Sequence, residues 1–150
     1  MDWVIEMRRV PGMLMIGAAG RNVGKTELAC TMSRRFSTHG LLIAVKVTAV
    51  DRNDGLCPRG GQGCGVCSSL DRNYLISEET AGPPGKDTTR LLEAGAHRVF
   101  WLRAMKTHLA EGFDALLQSL PQEALLVVES TSLRNHVEPD LFILARDHRT

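Results

Sequence analysis

The apolar run Met13, Leu14, Met15 and Ile16 ends in Gly17-Ala18-Ala19-Gly20, which reads as a buried strand entering a glycine-rich turn. Leu28, Ala29, Met32 and Phe36 then recur at helical spacing between about residues 25 and 39, and Gly40 stands where a left-handed C-terminal cap belongs. A second apolar run, rich in β-branched residues, covers residues 41–47. A strand, a helix and a strand within about 35 residues form a βαβ unit. Its two strands are expected to be parallel and joined by a right-handed crossover.

The alternation continues downstream. Asp87 is a suitable N-cap for a short helix carrying Leu91, Leu92 and Ala94, with Gly95 near its end. Residues 99–102 read as a third strand. Thr107 opens a helix whose apolar face is Leu109, Phe113, Leu116, Leu117 and Leu120, and Pro121 stops it. Residues 124–128 form a fourth strand ending at Glu129, and residues 141–145 a fifth. Continuous apolar strands between amphipathic helices predict an α/β fold with a mainly parallel sheet of about five or more strands, covered on both faces. Residues 51–85 carry glycines, prolines and three cysteines without a long periodic pattern, and are expected to be a loop inserted in one domain spanning 1–150.

Composition narrows the function. Eighteen Lys and Arg against seventeen Asp and Glu leave a net charge of +1, so no overall basic field argues for nucleic acid. Aromatic residues are only 5%, which supplies few stacking platforms for single strands. The N-terminus has no secretory pattern, and no stretch approaches the roughly 18 apolar residues of a membrane span. The expected compartment is the cytoplasm, without a membrane partner, where clustered thiols point to metal or redox chemistry more than to disulfides.

The segment Ala19-Gly20-Arg21-Asn22-Val23-Gly24-Lys25-Thr26 matches the Walker A pattern G-x-x-x-x-G-K-[ST], with alanine at the first glycine. Small residues let backbone N–H groups turn inward and approach phosphates closely. Lys25 sets a positive charge beside the β- and γ-phosphates, and the Thr26 hydroxyl is a Mg²⁺ ligand in such loops. The helix N-terminus adds its partial positive charge. The expected fold is therefore a P-loop NTPase three-layer sandwich. Gly20, Arg21, Asn22, Val23, Gly24, Lys25, Thr26 and Glu27 are its nucleotide-binding set, with Lys25 and Glu129 expected to be catalytic. Glu129, at the end of a core strand, stands where a Walker B acid would join Thr26 at Mg²⁺; its alternative is a solvated strand end. Asp51 and Asp54 follow the second strand, as metal-contacting acids or as plain turn residues.

The Walker A loop, the strand segment 43–48, Gly85-Lys86-Asp87-Thr88-Thr89-Arg90, Ala94-Gly95-Ala96 and Val127-Val128-Glu129 are similar to the molybdopterin-guanine dinucleotide biosynthesis protein B family. The likeness runs from about residue 12 to residue 145. It implies a P-loop fold shared with dimeric metal-chaperone and nitrogenase-iron-protein-like NTPases, GTP binding, and assistance in attaching a nucleotide to molybdopterin. It also implies that Gly20, Gly24, Lys25 and Thr26 bind phosphate and Mg²⁺, with Glu129 as the Walker B acid. This chain carries Ser130-Thr131-Ser132 where the family has a Gly after the strand-end Glu, and it lacks an N-K-x-D guanine signature, which leaves GTP and ATP both open.

Cys57, Cys64 and Cys67 lie within eleven residues. The C-x-x-C spacing of Cys64 and Cys67 lets both sulfurs face one metal, and three thiolates are one short of a closed zinc site. Asp51, Asp54, Cys30 or a partner subunit are the candidates for a fourth ligand, and an iron–sulfur cluster across a homodimer interface fits the same shortage. Three incidental or oxidisable loop thiols are the alternative. Cys30 reads as a buried core residue, and the five histidines as surface or cap residues.

The leading expectation is a weak GTPase or ATPase that acts as an accessory factor in molybdenum or other metallo-cofactor assembly, together with a cofactor-assembly partner. A nucleotide-gated metal-binding chaperone is the second. A small-molecule kinase using Arg90, Arg98 or Arg103 is the third.

Overall fold

The computed structural model describes residues 7–20, 23–51, 70, 72–80 and 82–147. Among the described residues six strands and three α-helices follow in the order β1 (Arg8–Ala19), α1 (Lys25–Phe36), β2 (Leu42–Val50), β3 (Tyr74–Glu79), α2 (Asp87–Glu93), β4 (Arg98–Met105), α3 (Leu109–Gln118), β5 (Leu125–Glu129) and β6 (Val137–Arg146). They form one sheet of order β3-β4-β2-β5-β1-β6. Every neighbouring pair is parallel except β3 with β4. The expected α/β class with a mainly parallel sheet is present, and β1 and β2 run parallel with β5 inserted between them.

Helices cover both faces because alternate residues of the central strands are apolar in both directions. On one face Val45, Val47, Phe100, Leu102 and Val128 meet Leu109, Phe113 and Leu116 of α3. On the other, Ile16, Ala44, Val99 and Val127 meet Ala29 and Cys30 of α1 and Leu91 of α2. The period-2 alternation of β5 sends Val127 to one core and Val128 to the other. Glu129 therefore shares the α1 side with Val127.

Three local expectations need correction. Residues 74–79 are a strand, not loop. β3 is short, half-buried and ends in two acids, so it lacks the continuous apolar run of a central strand. It is held at the sheet edge by pairing with β4 and by a bidentate bond from Arg98 to Glu78, at 3.0 and 2.9 Å. Second, α1 stops at Phe36 instead of reaching His39, and its cap is Ser37 in the right-handed region. The Ser37 hydroxyl donates to the Arg34 carbonyl, and the amides of Ser37 and His39 bond back to Ser33 and Phe36, so the last carbonyls are met without a left-handed Gly40. α2 does use that device: Gly95 has φ +111°, its amide reaches the Leu92 carbonyl, and the Ala96 amide reaches Leu91. Third, Asp87 is the first residue of α2 and not its cap; Lys86 occupies the cap position, without a side-chain capping bond.

The strand expected at 141–145 is longer, and runs as a sheet edge beside β1. Pro139 falls on this edge strand, where a missing N–H costs no ladder bond on the open side. Among the described residues no helix is long and apolar enough to cross a membrane.

Phe113 is fully buried under β4. Phe113→Ala is expected to cost about 3–5 kcal/mol through lost burial and a residual cavity. A lower urea midpoint with an unchanged slope would show it; a midpoint shift worth less than about 1 kcal/mol would contradict this core assignment.

Candidate functional site

The carboxyl ends of β1, β2 and β5 lie side by side, and the residues of interest sit on the face shared with α1. The turn from β1 into α1 depends on two glycines in conformations that other residues rarely adopt: Gly20 at φ +121° and Gly24 at φ +92°, ψ +19°. Gly24 is the N-cap of α1 and contributes no side-chain cap, so the first-turn amides are not claimed by their own cap residue. They face a ligand-sized space. A cavity of about 610 Å³ opens against this turn, within the range of about 300–1,000 Å³ usual for small-molecule sites.

Gly20, Val23, Gly24, Lys25, Thr26 and Glu27 all line the cavity. Glu129 lines it too. Arg21 and Asn22, from the same motif, lie outside the described residues, as do Asp54, Cys57, Cys64 and Cys67.

The Thr26 hydroxyl donates to Glu129 Oε1 at 2.7 Å. Glu129 is only 3% exposed, and its Oε2 is buried with no hydrogen-bond partner among the described residues. A buried carboxylate oxygen without a partner is costly, and a cation at that point would satisfy it. Hard oxygen donors from a carboxylate and a hydroxyl are the ligand chemistry of Mg²⁺. The expected Walker B position thus fits the ion: Glu129 is not a solvated strand end.

Lys46 of β2 and Asp87 and Arg90 of α2 complete the walls. The Lys46 ammonium bonds the Asp87 carboxylate at 2.8 Å. Burial pushes the Asp87 pKa up, but the Lys46 hydrogen bond and charge, aided by Arg90 and Lys25, hold it below its ordinary 3.8. This bond explains why Asp87 does not cap its helix: its carboxylate turns to a poorly hydrated ammonium instead of to backbone amides. Arg90 reaches across to Glu27 of α1. Lys86 and Thr88 both bond Glu79 of β3, at 3.2 and 3.1 Å. The stretch Lys86–Arg90 therefore ties α2 to β2, α1 and β3 at once.

Other sequence candidates stand elsewhere. Arg98 bonds Glu78, and Arg103 lies 4.5 Å from the Trp101 ring centroid; neither lines the cavity. Asp51 directly follows β2, outside the cavity lining. Cys30 is buried as expected, and desolvation raises its thiol pKa against the opposing charges of Arg90 and Arg34. Among the described residues no three His, Cys, Asp or Glu side chains converge as a metal site. Sequence reasoning assigned no role to Lys46. The available signal was a lone cation inside the apolar strand Leu42–Val50.

No protein-family model, curated protein or solved structure matches this chain.

Because the Asp87 pKa is lower folded than unfolded, its ion pair contributes stability above the ordinary carboxyl value and loses it as pH falls through the folded value. Asp87→Asn is expected to lower the urea midpoint near neutrality and to flatten the acid limb below about pH 4. Parallel midpoint-versus-pH curves for the two proteins would contradict this.

Proposed function

We propose that this chain binds a nucleoside triphosphate, GTP or ATP, and hydrolyses it weakly. Its role is that of an accessory factor in the assembly of molybdenum or another metallo-cofactor. The observation that carries the nucleotide reading is the Thr26–Glu129 bond of 2.7 Å in the lining of a cavity that opens on the Gly24-capped end of α1.

In this reading the turn amides and the α1 N-terminus receive the phosphates, since oriented N–H groups and the helix dipole both favour an anion. Lys25 neutralises the β- and γ-phosphate oxygens and is the main catalytic cation. Gly20 and Gly24 allow the close approach, with Arg21, Asn22, Val23 and Glu27 flanking it. Thr26 and Glu129 would hold Mg²⁺, which when bound offsets charge building on the transferring phosphoryl group. The low exposure of Glu129 keeps its carboxylate fixed and shields it from water, so the ligand position is set before nucleotide arrives.

The metallo-cofactor part rests on sequence: the likeness of the Walker A loop and the segment 85–90 to the molybdopterin-guanine dinucleotide biosynthesis protein B family, and the thiols of Cys57, Cys64 and Cys67 as zinc or iron–sulfur ligands. A homodimer and an assembly protein are the partners of this reading.

Lys25→Ala is expected to weaken nucleotide binding on the order of 10–100-fold, the value of a lost charge-assisted contact. Glu129→Gln should remove most of the Mg²⁺ enhancement of triphosphate affinity. Titration of fluorescent GTP and ATP analogues with and without Mg²⁺ measures both. Undiminished binding by Lys25→Ala would overturn the reading.

A further inference from the structure

Lys46 stands in the middle of a buried strand, with 19% of its side chain exposed. A cation in such surroundings is costly unless an anion meets it. Asp87 does so at 2.8 Å, and the Trp101 ring lies 5.7 Å from the ammonium, itself held by its indole N–H bond to Thr48. Three observations set this pair against the phosphate end of the cavity.

First, Lys46 is the direct neighbour of Glu129 in the β2–β5 register. Adjacent strands are roughly 4.8 Å apart, and Glu129 bonds Thr26, the residue after Lys25. Second, Lys46 shares a face with Ala44, which packs under the α1–α2 layer, so its side chain starts on the cavity side of the sheet. Third, Asp87 pairs with Lys46 of β2 and lines the same cavity as Arg90 of α2 and Lys25 of α1, so its carboxylate stands where cations from three elements border one space. A carboxylate among converging cations beside a metal-type oxygen pair occupies the kind of place a terminal phosphate takes.

We propose that Lys46 is a ligand of the terminal phosphate of a bound nucleoside triphosphate, and that Asp87 is the counter-ion which this phosphate displaces. The inference rests on the nucleotide reading above and extends it to the discrimination of triphosphate from diphosphate. Before a nucleotide binds, Asp87 satisfies the half-buried ammonium. A diphosphate leaves that pair closed, because it has no group to replace the carboxylate. A triphosphate brings more negative charge to Lys46 and pushes the Asp87 carboxylate away. Since Asp87 lies in the first turn of α2, the exchange releases one of the ties that hold that helix over β2.

The test is the ratio of affinities for a non-hydrolysable triphosphate and the diphosphate of the same base, with Mg²⁺, measured calorimetrically. Lys46→Met is expected to lower the ratio on the order of tenfold, the worth of one charge-assisted contact. Asp87→Asn removes the competing anion and is expected to raise the ratio roughly fivefold, the scale of one partly exposed charge interaction. A purely structural ion pair would change both affinities together and leave the ratio alone. Ratios unchanged in Asp87→Asn, or shifted in the same direction by both variants, would overturn the inference while leaving nucleotide binding in place. If Lys46→Met does not fold, Asp87→Asn decides alone, because it retains the lysine. Absence of any nucleotide binding by the native protein would remove the proposed function and this inference together.

Discussion

A carboxylate buried at the end of a core strand sets the terms for everything around it. Glu129 lies between β1 and β2, almost without contact with water, and an ion in that position needs compensation from neighbours. Thr26 answers one oxygen; the other is buried without a hydrogen-bond partner among the described residues. Next to it, Lys46 brings a half-buried charge of opposite sign, met in turn by Asp87. The site is thus a set of charges held in place by strands whose buried residues are mainly apolar. Those strands fix the positions, because a core strand cannot shift by one residue without exchanging its buried and polar faces.

The order of the strands makes the arrangement possible. β5 comes late in the chain yet inserts between β1 and β2, so Glu129 meets the turn that follows β1. Parallel direction puts the carboxyl ends of all three strands at one border of the sheet, where open α/β sheets commonly receive ligands. α1 starts at that border, and its uncapped first turn faces the same space. α2 covers the neighbouring stretch and is tied to three elements by Lys86, Asp87, Thr88 and Arg90. A short helix of this kind gains little from its own backbone and takes its place from such ties.

Much of the frame was legible in local patterns. The runs around residues 13–16 and 124–128 are apolar on every residue, and 41–47 on every residue but Lys46, a pattern that parallel strands covered on both sides produce. The glycines at 20 and 24 and the Lys25-Thr26 pair announced a turn with a particular chemistry. β3 escaped because an edge strand needs only one covered face, and its six residues carry no clear alternation. The end of α1 was misjudged because a serine hydroxyl and tight terminal turns did the work assigned to Gly40. The role of Asp87 was misassigned because a good capping residue is equally a good ion-pair partner, and only spatial neighbours decide between the two.

What the amino-acid order determined alone was the identity of the central strands and the helices, their buried faces and the glycine-dependent turn, since these rest on periodicity and backbone freedom within a few residues. Only the tertiary structure decided which charges meet: Thr26 with Glu129 across 103 positions, and Lys46 with Asp87 across 41. Such pairs depend on which strands become neighbours, and that is chosen by the burial of the whole sheet rather than by any local segment.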